Sequence, residues 1–103
     1  MTAFELLVSR SAEGAVVGVR GELDLYTAPQ LQDQLAKLVE QGVRQVVADL
    51  AGMEFVDSTG LSVLVDGMRR LREDGGDLTL RSPTPNATKV LEITGLSRVF
   101  VIS

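Results

Sequence analysis

The stretch "FVDSTGLSVLVDGMRRL", Phe55 to Leu71, contains a change of period. Phe55 and Val56 are apolar, Asp57-Ser58-Thr59-Gly60 are small or acidic, and then Leu61, Leu64, Val65, Met68 and Leu71 step by three and four. Such spacing places the apolar side chains on one face of an α-helix. The Asp-Ser-Thr-Gly turn therefore marks a strand-to-helix junction. Gly75-Gly76 closes the helix.

Upstream, Phe4, Leu6 and Val8 alternate with polar residues as a half-exposed strand does. Ala15 to Arg20 reads as a second strand, joined to the first by a turn at Glu13-Gly14, and Gly21-Glu22-Leu23-Asp24 leads out of it. Thr27-Ala28-Pro29-Gln30 opens a helix, with Thr27 as the expected cap, Pro29 in the first turn and Gln30 completing a capping box. Leu31, Leu35, Leu38 and Val39 share its apolar face, and Gly42 ends it. Val43 to Leu50 is a nearly continuous apolar strand and so a central one, with Asp49 an expected structural hydrogen-bonding residue. Downstream, Leu78 to Arg81 forms a short strand. Thr84-Pro85 starts a third helix with Val90, Leu91 and Ile93 facing inward, Gly95 stops it, and Val99 to Ile102 is the last strand. The order β-β-α-β-α-β-α-β predicts an α/β (α+β) domain, a small mixed β-sheet with helices packed on it.

At 103 residues the chain suffices for one core, so residues 1–103 are expected to form a single domain. With one Tyr and three Phe, that core rests on Val, Leu, Ile and Ala. No cysteine is present, which removes disulfides, thiolate chemistry and cysteine metal sites, and fits a reducing cytoplasm. Histidine is absent as well, so neither a Ser-His-Asp site nor a His-ligated zinc can be built. No cofactor or metal is expected. The net charge of −4 argues against direct nucleic-acid binding, and Arg69, Arg70 and Arg72 read as a solvated helix face. No apolar run reaches the roughly 18 residues that span a bilayer, and the N-terminus lacks the pattern of a signal peptide.

Three roles are open to Ser58. As a nucleophile it lacks the glycine-flanked elbow and any histidine base, and the only lysines, Lys37 and Lys89, are distant in sequence. A phosphate-binding loop would need more glycine and a lysine. A receiver domain would need an acidic cluster at several strand ends and a late-strand lysine. As a cap, Ser58 or Asp57 would satisfy the first N–H groups of the helix, an effect worth about 1 kcal/mol. The remaining role is that of a residue modified by another protein.

The third role is supported by resemblance. "GELD", "TAPQL", "VVADL" and "FVDSTGL", in that order and spacing, resemble the STAS-domain family over essentially the whole chain, most closely its bacterial anti-sigma-factor antagonists. The resemblance implies a non-enzymatic regulator. Its unphosphorylated form binds an anti-sigma factor that is also a serine kinase, freeing a sigma factor; phosphorylation releases it, and a serine phosphatase restores it. Ser58 matches the phosphoacceptor. Thr59 holds the next position, Asp57 the acidic neighbour, and Asp24 the acid contributed by the "GELD" loop. Gly60, Leu61 and Ser62 complete the implied partner-binding segment, Ser62 standing where many members have glycine. A monomer or weak dimer in the cytoplasm, with no membrane contact, is expected. The alternative on the same fold is a constitutive accessory subunit of a lipid-transport ABC system, or a stress-signalling scaffold.

Overall fold

The structure, a computed structural model, describes residues 3–103. Strands β1 (Glu5–Ser11) and β2 (Gly14–Leu23) form an antiparallel hairpin. Helix α1 (Ala28–Glu40), β3 (Gln45–Asp49), β4 (Met53–Val56), α2 (Ser58–Glu73), β5 (Asp77–Arg81), α3 (Pro85–Ile93), a single 3-10 turn (Leu96–Arg98) and β6 (Val101–Ile102) follow. The sheet runs β1-β2-β3-β5-β6, with every pairing after the hairpin parallel. It is the expected small mixed sheet, and β3 lies at its centre.

Alternation along the strands decides which face is covered. Val17, Val19, Val46, Ala48, Leu78 and Leu80 are buried and join one core with Leu31, Leu35 and Leu38 of α1 and Leu64, Met68 and Leu71 of α2. The intervening Val16, Val47 and Thr79 point the other way and are half-buried. Gly67 lets α1 and α2 approach closely, since a Cβ there would lie 2.8 Å from Leu35 Cδ1.

One strand escapes the periodicity of the sequence. Met53–Val56 forms β4, parallel to the end of β2, so the order is β-β-α-β-β-α-β-α-β. β2 runs on to Leu23 because it leaves β3 after Gly18 and takes up β4 from Gly21, with a register shift between Gly21, at φ 91°, and Glu22. Four residues with only the outer two buried carry no legible alternation. The final strand is shorter than expected, because the Val99 and Phe100 N–H groups donate back to Leu96 O at the end of the 3-10 turn. Ile93 does not face inward: it is 75% exposed, and the buried stripe of α3 is Ala87 and Leu91, one turn apart.

Candidate functional site: the turn before helix α2

Asp57 holds this turn together. It is the N-cap of α2, where its Oδ1 accepts from Gly60 N at 2.9 Å and its main-chain oxygen accepts from Leu61 N at 3.0 Å. Its other carboxylate oxygen, Oδ2, accepts from Leu25 N at 3.1 Å, and its own N–H donates to Leu23 O at 3.1 Å. One side chain thus caps the helix and ties it to the β2–α1 loop. That division of labour decides between the two capping candidates: Asp57 caps, and Ser58 is the first helical residue, exposed to solvent.

Gly60 brings the two segments close enough for these bonds. A Cβ there would fall 2.7 Å from Leu23 Cγ, 2.8 Å from Leu23 O and 3.0 Å from Val56 Cγ2. No larger residue fits without moving backbone. Leu61, 8% exposed, packs inward, Thr59 is half-buried, and Ser62 is exposed with its hydroxyl donating to Ser58 O at 2.9 Å. The turn therefore offers solvent the Ser58 and Ser62 side chains, over a floor made by Gly60 and Leu61.

The facing loop is built by Asp24 and Thr27. Asp24 Oδ1 accepts from Tyr26 N at 2.9 Å and from Thr27 N at 3.1 Å. Thr27 does not cap α1 with its side chain, contrary to the capping-box expectation. Its hydroxyl donates to Glu22 O at 2.7 Å and accepts from Asp24 N at 2.9 Å. The hydroxyl is drawn back into the loop because Thr27 already has helical dihedrals, φ −101° and ψ −25°, which aim its side chain away from the following N–H groups. Asp24 supplies the acceptors instead, its main-chain oxygen taking Ala28 N at 2.8 Å. Asp24 and Asp57 thus stand on adjoining segments, linked through Leu25 and Tyr26. Those two residues, 61% and 86% exposed, were not candidates on sequence grounds. The available signal was a bulky apolar pair inside a loop rather than in an element.

The remaining charged residues fall outside the turn. Asp66, Arg69 and Arg70 are exposed on α2. Arg72 is engaged, donating to Asp77 Oδ1 and Val99 O, both at 2.8 Å. Asp49 accepts from Arg81 Nη2 at 2.8 Å and from Ala51 N at 3.0 Å, the structural role expected for it. The hydrogen bond from Arg81 is the main reason its carboxyl titrates below the usual range. Between β4 and α3 lies an apolar groove of about 250 Å³, to which Phe55, Val56, Ala87, Val90 and Ile93 contribute. Among the described residues no cluster of acidic side chains could hold a metal ion, and no helix is long and apolar enough to cross a membrane.

The family described as "Mlab, STAS domain" matches residues 6–102. The anti-sigma-B factor antagonist of Bacillus subtilis (strain 168) is 33% identical over 96 residues, which are 93% of this chain and 87% of that protein. An anti-sigma factor antagonist from Mycobacterium paratuberculosis superimposes with a TM-score of 0.86 at 29% identity, over 97% of this chain and 85% of that one. The Bacillus cell fate determinant SpoIIAA in its phosphorylated form superimposes with a TM-score of 0.76 at 27% identity, over 98% and 91% of the two chains. The turn described above thus sits in a chain that belongs to the STAS-domain family, among the anti-sigma-factor antagonists, which are regulators and not enzymes.

Proposed function

We propose that the protein is a phosphorylation-controlled antagonist in the cytoplasm, with Ser58 as the switch. Unphosphorylated, it binds an anti-sigma factor that is also a serine kinase and so frees a sigma factor. Phosphorylated on Ser58, it lets go, and a serine phosphatase returns it to the binding form. Asp24, Asp57, Thr59, Gly60, Leu61 and Ser62 shape or flank the surface that the partner meets. The observation carrying this reading is the division of roles at the turn: Asp57 takes the capping bonds, and Ser58 stands exposed beside it. A family relative solved in a phosphorylated form supports the same reading.

Electrostatics determine how the switch would act. A phosphate at a helix N-terminus meets free N–H groups and the positive end of the dipole, so modification leaves the domain folded. It adds close to two negative charges next to Asp57 and across from Asp24. Burying that charge against a partner with no matching arginine costs several kcal/mol. About 4 kcal/mol weakens binding about a thousandfold. Release is then an interface effect with little backbone change, and ATP, metal and general base belong to the kinase.

The test is intact-protein mass spectrometry after incubation with host lysate and ATP, comparing wild type with Ser58→Ala. One phosphate on wild type and none on the variant is expected. No phosphate under any growth condition would contradict the switch and favour a constitutive binding subunit, with the turn serving as a helix cap only.

A further inference from the structure

Tyr26 is 86% exposed, more than any other large hydrophobic residue among the described ones, and Leu25 beside it is 61% exposed. Exposed loops are ordinarily mobile, because fixing each residue costs about 1–2 kcal/mol of backbone entropy. This loop is braced from three sides. Asp24 holds Tyr26 N at 2.9 Å, Thr27 spans back to Glu22 O at 2.7 Å, and Asp57 holds Leu25 N at 3.1 Å. None of these bonds buries Leu25 or Tyr26. They fix an apolar pair in solvent.

We propose that Leu25 and Tyr26 are the docking anchor for the protein that phosphorylates Ser58. The proposal rests on the reading of Ser58 given above. Asp57 directly precedes Ser58 and carries the bond to Leu25, so the anchor is tied to the residue next to the hydroxyl. A protein surface laid over the turn before α2 is placed beside this loop, which the Leu25–Asp57 bond joins to it. Tyrosine suits an anchor: it offers a large apolar area at the expense of two side-chain torsions, with a polar tip for the rim. Bracing the loop beforehand removes the ordering cost from association.

Charge specifies the partner's chemistry further. Glu22 and Glu54 lie on the two strands that hold the loop, Asp24 on the loop and Asp57 at the α2 N-cap, and none of them forms an ion pair among the described residues. The matching face is an apolar pocket wide enough for an aromatic ring, with arginine or lysine opposite Glu22 and Glu54 and none opposite Ser58.

The test measures the rate at which the full chain gains one phosphate in host lysate with ATP, by intact mass. Tyr26→Ala is expected to slow the reaction at least tenfold with an unchanged melting temperature, since the side chain is in solvent. Tyr26→Phe should stay within twofold of wild type, because the ring is kept. Val101→Ala, an exposed change on β6, should have no effect. If wild type is phosphorylated on Ser58 and Tyr26→Ala keeps pace within twofold, the anchor is refuted while the switch stands. Equal slowing by Val101→Ala would also refute it, since the effect would not be local. If wild type gains no phosphate at all, the switch fails and the anchor falls with it.

Discussion

Replacing Asp57 with alanine separates two bonds that one carboxylate now makes. Losing the acceptor for Gly60 N removes the helix cap, which costs about 1 kcal/mol. Losing the acceptor for Leu25 N costs a further 0.5–1.5 kcal/mol or so, at the lower end because Leu25 is exposed and water can replace the bond. The expected total is about 1.5 kcal/mol. At roughly 4–8 °C per kcal/mol for a domain approaching this size, the melting temperature should fall by about 10 °C. Asp57→Asn retains one side-chain oxygen, which can cap α2 or hold Leu25 but not both, so it should cost about half as much. Urea unfolding measures the energies, and amide hydrogen exchange assigns them. In Asp57→Ala the Gly60 and Leu25 amides should both lose protection, and in Asp57→Asn only one of the two. An alanine variant within 0.5 kcal/mol of wild type would refute the argument that Asp57 joins the helix to the loop.

Gly60→Ala should destabilise the domain by about 1–3 kcal/mol in urea unfolding, because the added Cβ meets the Leu23 carbonyl oxygen, which cannot rotate aside. Gly67→Ala, whose Cβ meets only the movable tip of Leu35, should cost less or be offset by alanine's higher helix propensity of about 1 kcal/mol. The Asp49–Arg81 pair sets an acid dependence. A carboxyl with its folded pKa depressed adds stability above its unfolded value near 3.8, and loses it as pH falls through the folded value. Acid unfolding curves of Arg81→Met should therefore be flatter below pH 4 than those of wild type, modestly so because the pair is partly exposed. Ser58→Asp should fold as wild type does, with an unchanged far-ultraviolet circular dichroism spectrum, and bind the partner poorly. Ser58→Ala should bind and resist release.

What could be read from the sequence depended on whether the signal was local. α2 was legible because Leu61, Leu64, Met68 and Leu71 repeat at helical spacing and an acidic cap precedes them. Gly42 and Gly95, at φ 83° and 79°, mark the end of α1 and of α3 just as their positions suggested. β4 was hidden because its identity lies in a partner, the bent end of β2, and not in its own four residues. Thr27 misled for a related reason. Its place before Pro29 is that of a cap, but Glu22 O and Asp24 N, brought round by the loop, compete for its hydroxyl. Ile93 misled because burial on α3 follows Ala87, a small residue that hydrophobic pattern-reading passes over. At the site itself, the sequence placed Ser58, Asp57 and Asp24 together by resemblance. The double role of Asp57, and with it the bracing of Leu25 and Tyr26, depends on a contact across 32 positions that no spacing rule reaches.

The most direct test of the account is a pair of dissociation constants for the anti-sigma factor, measured by calorimetry with the chain unmodified and then phosphorylated on Ser58. The account predicts weakening of about a thousandfold, corresponding to about 4 kcal/mol, with no change in the chain's own fold. Equal affinity for the two forms would contradict it.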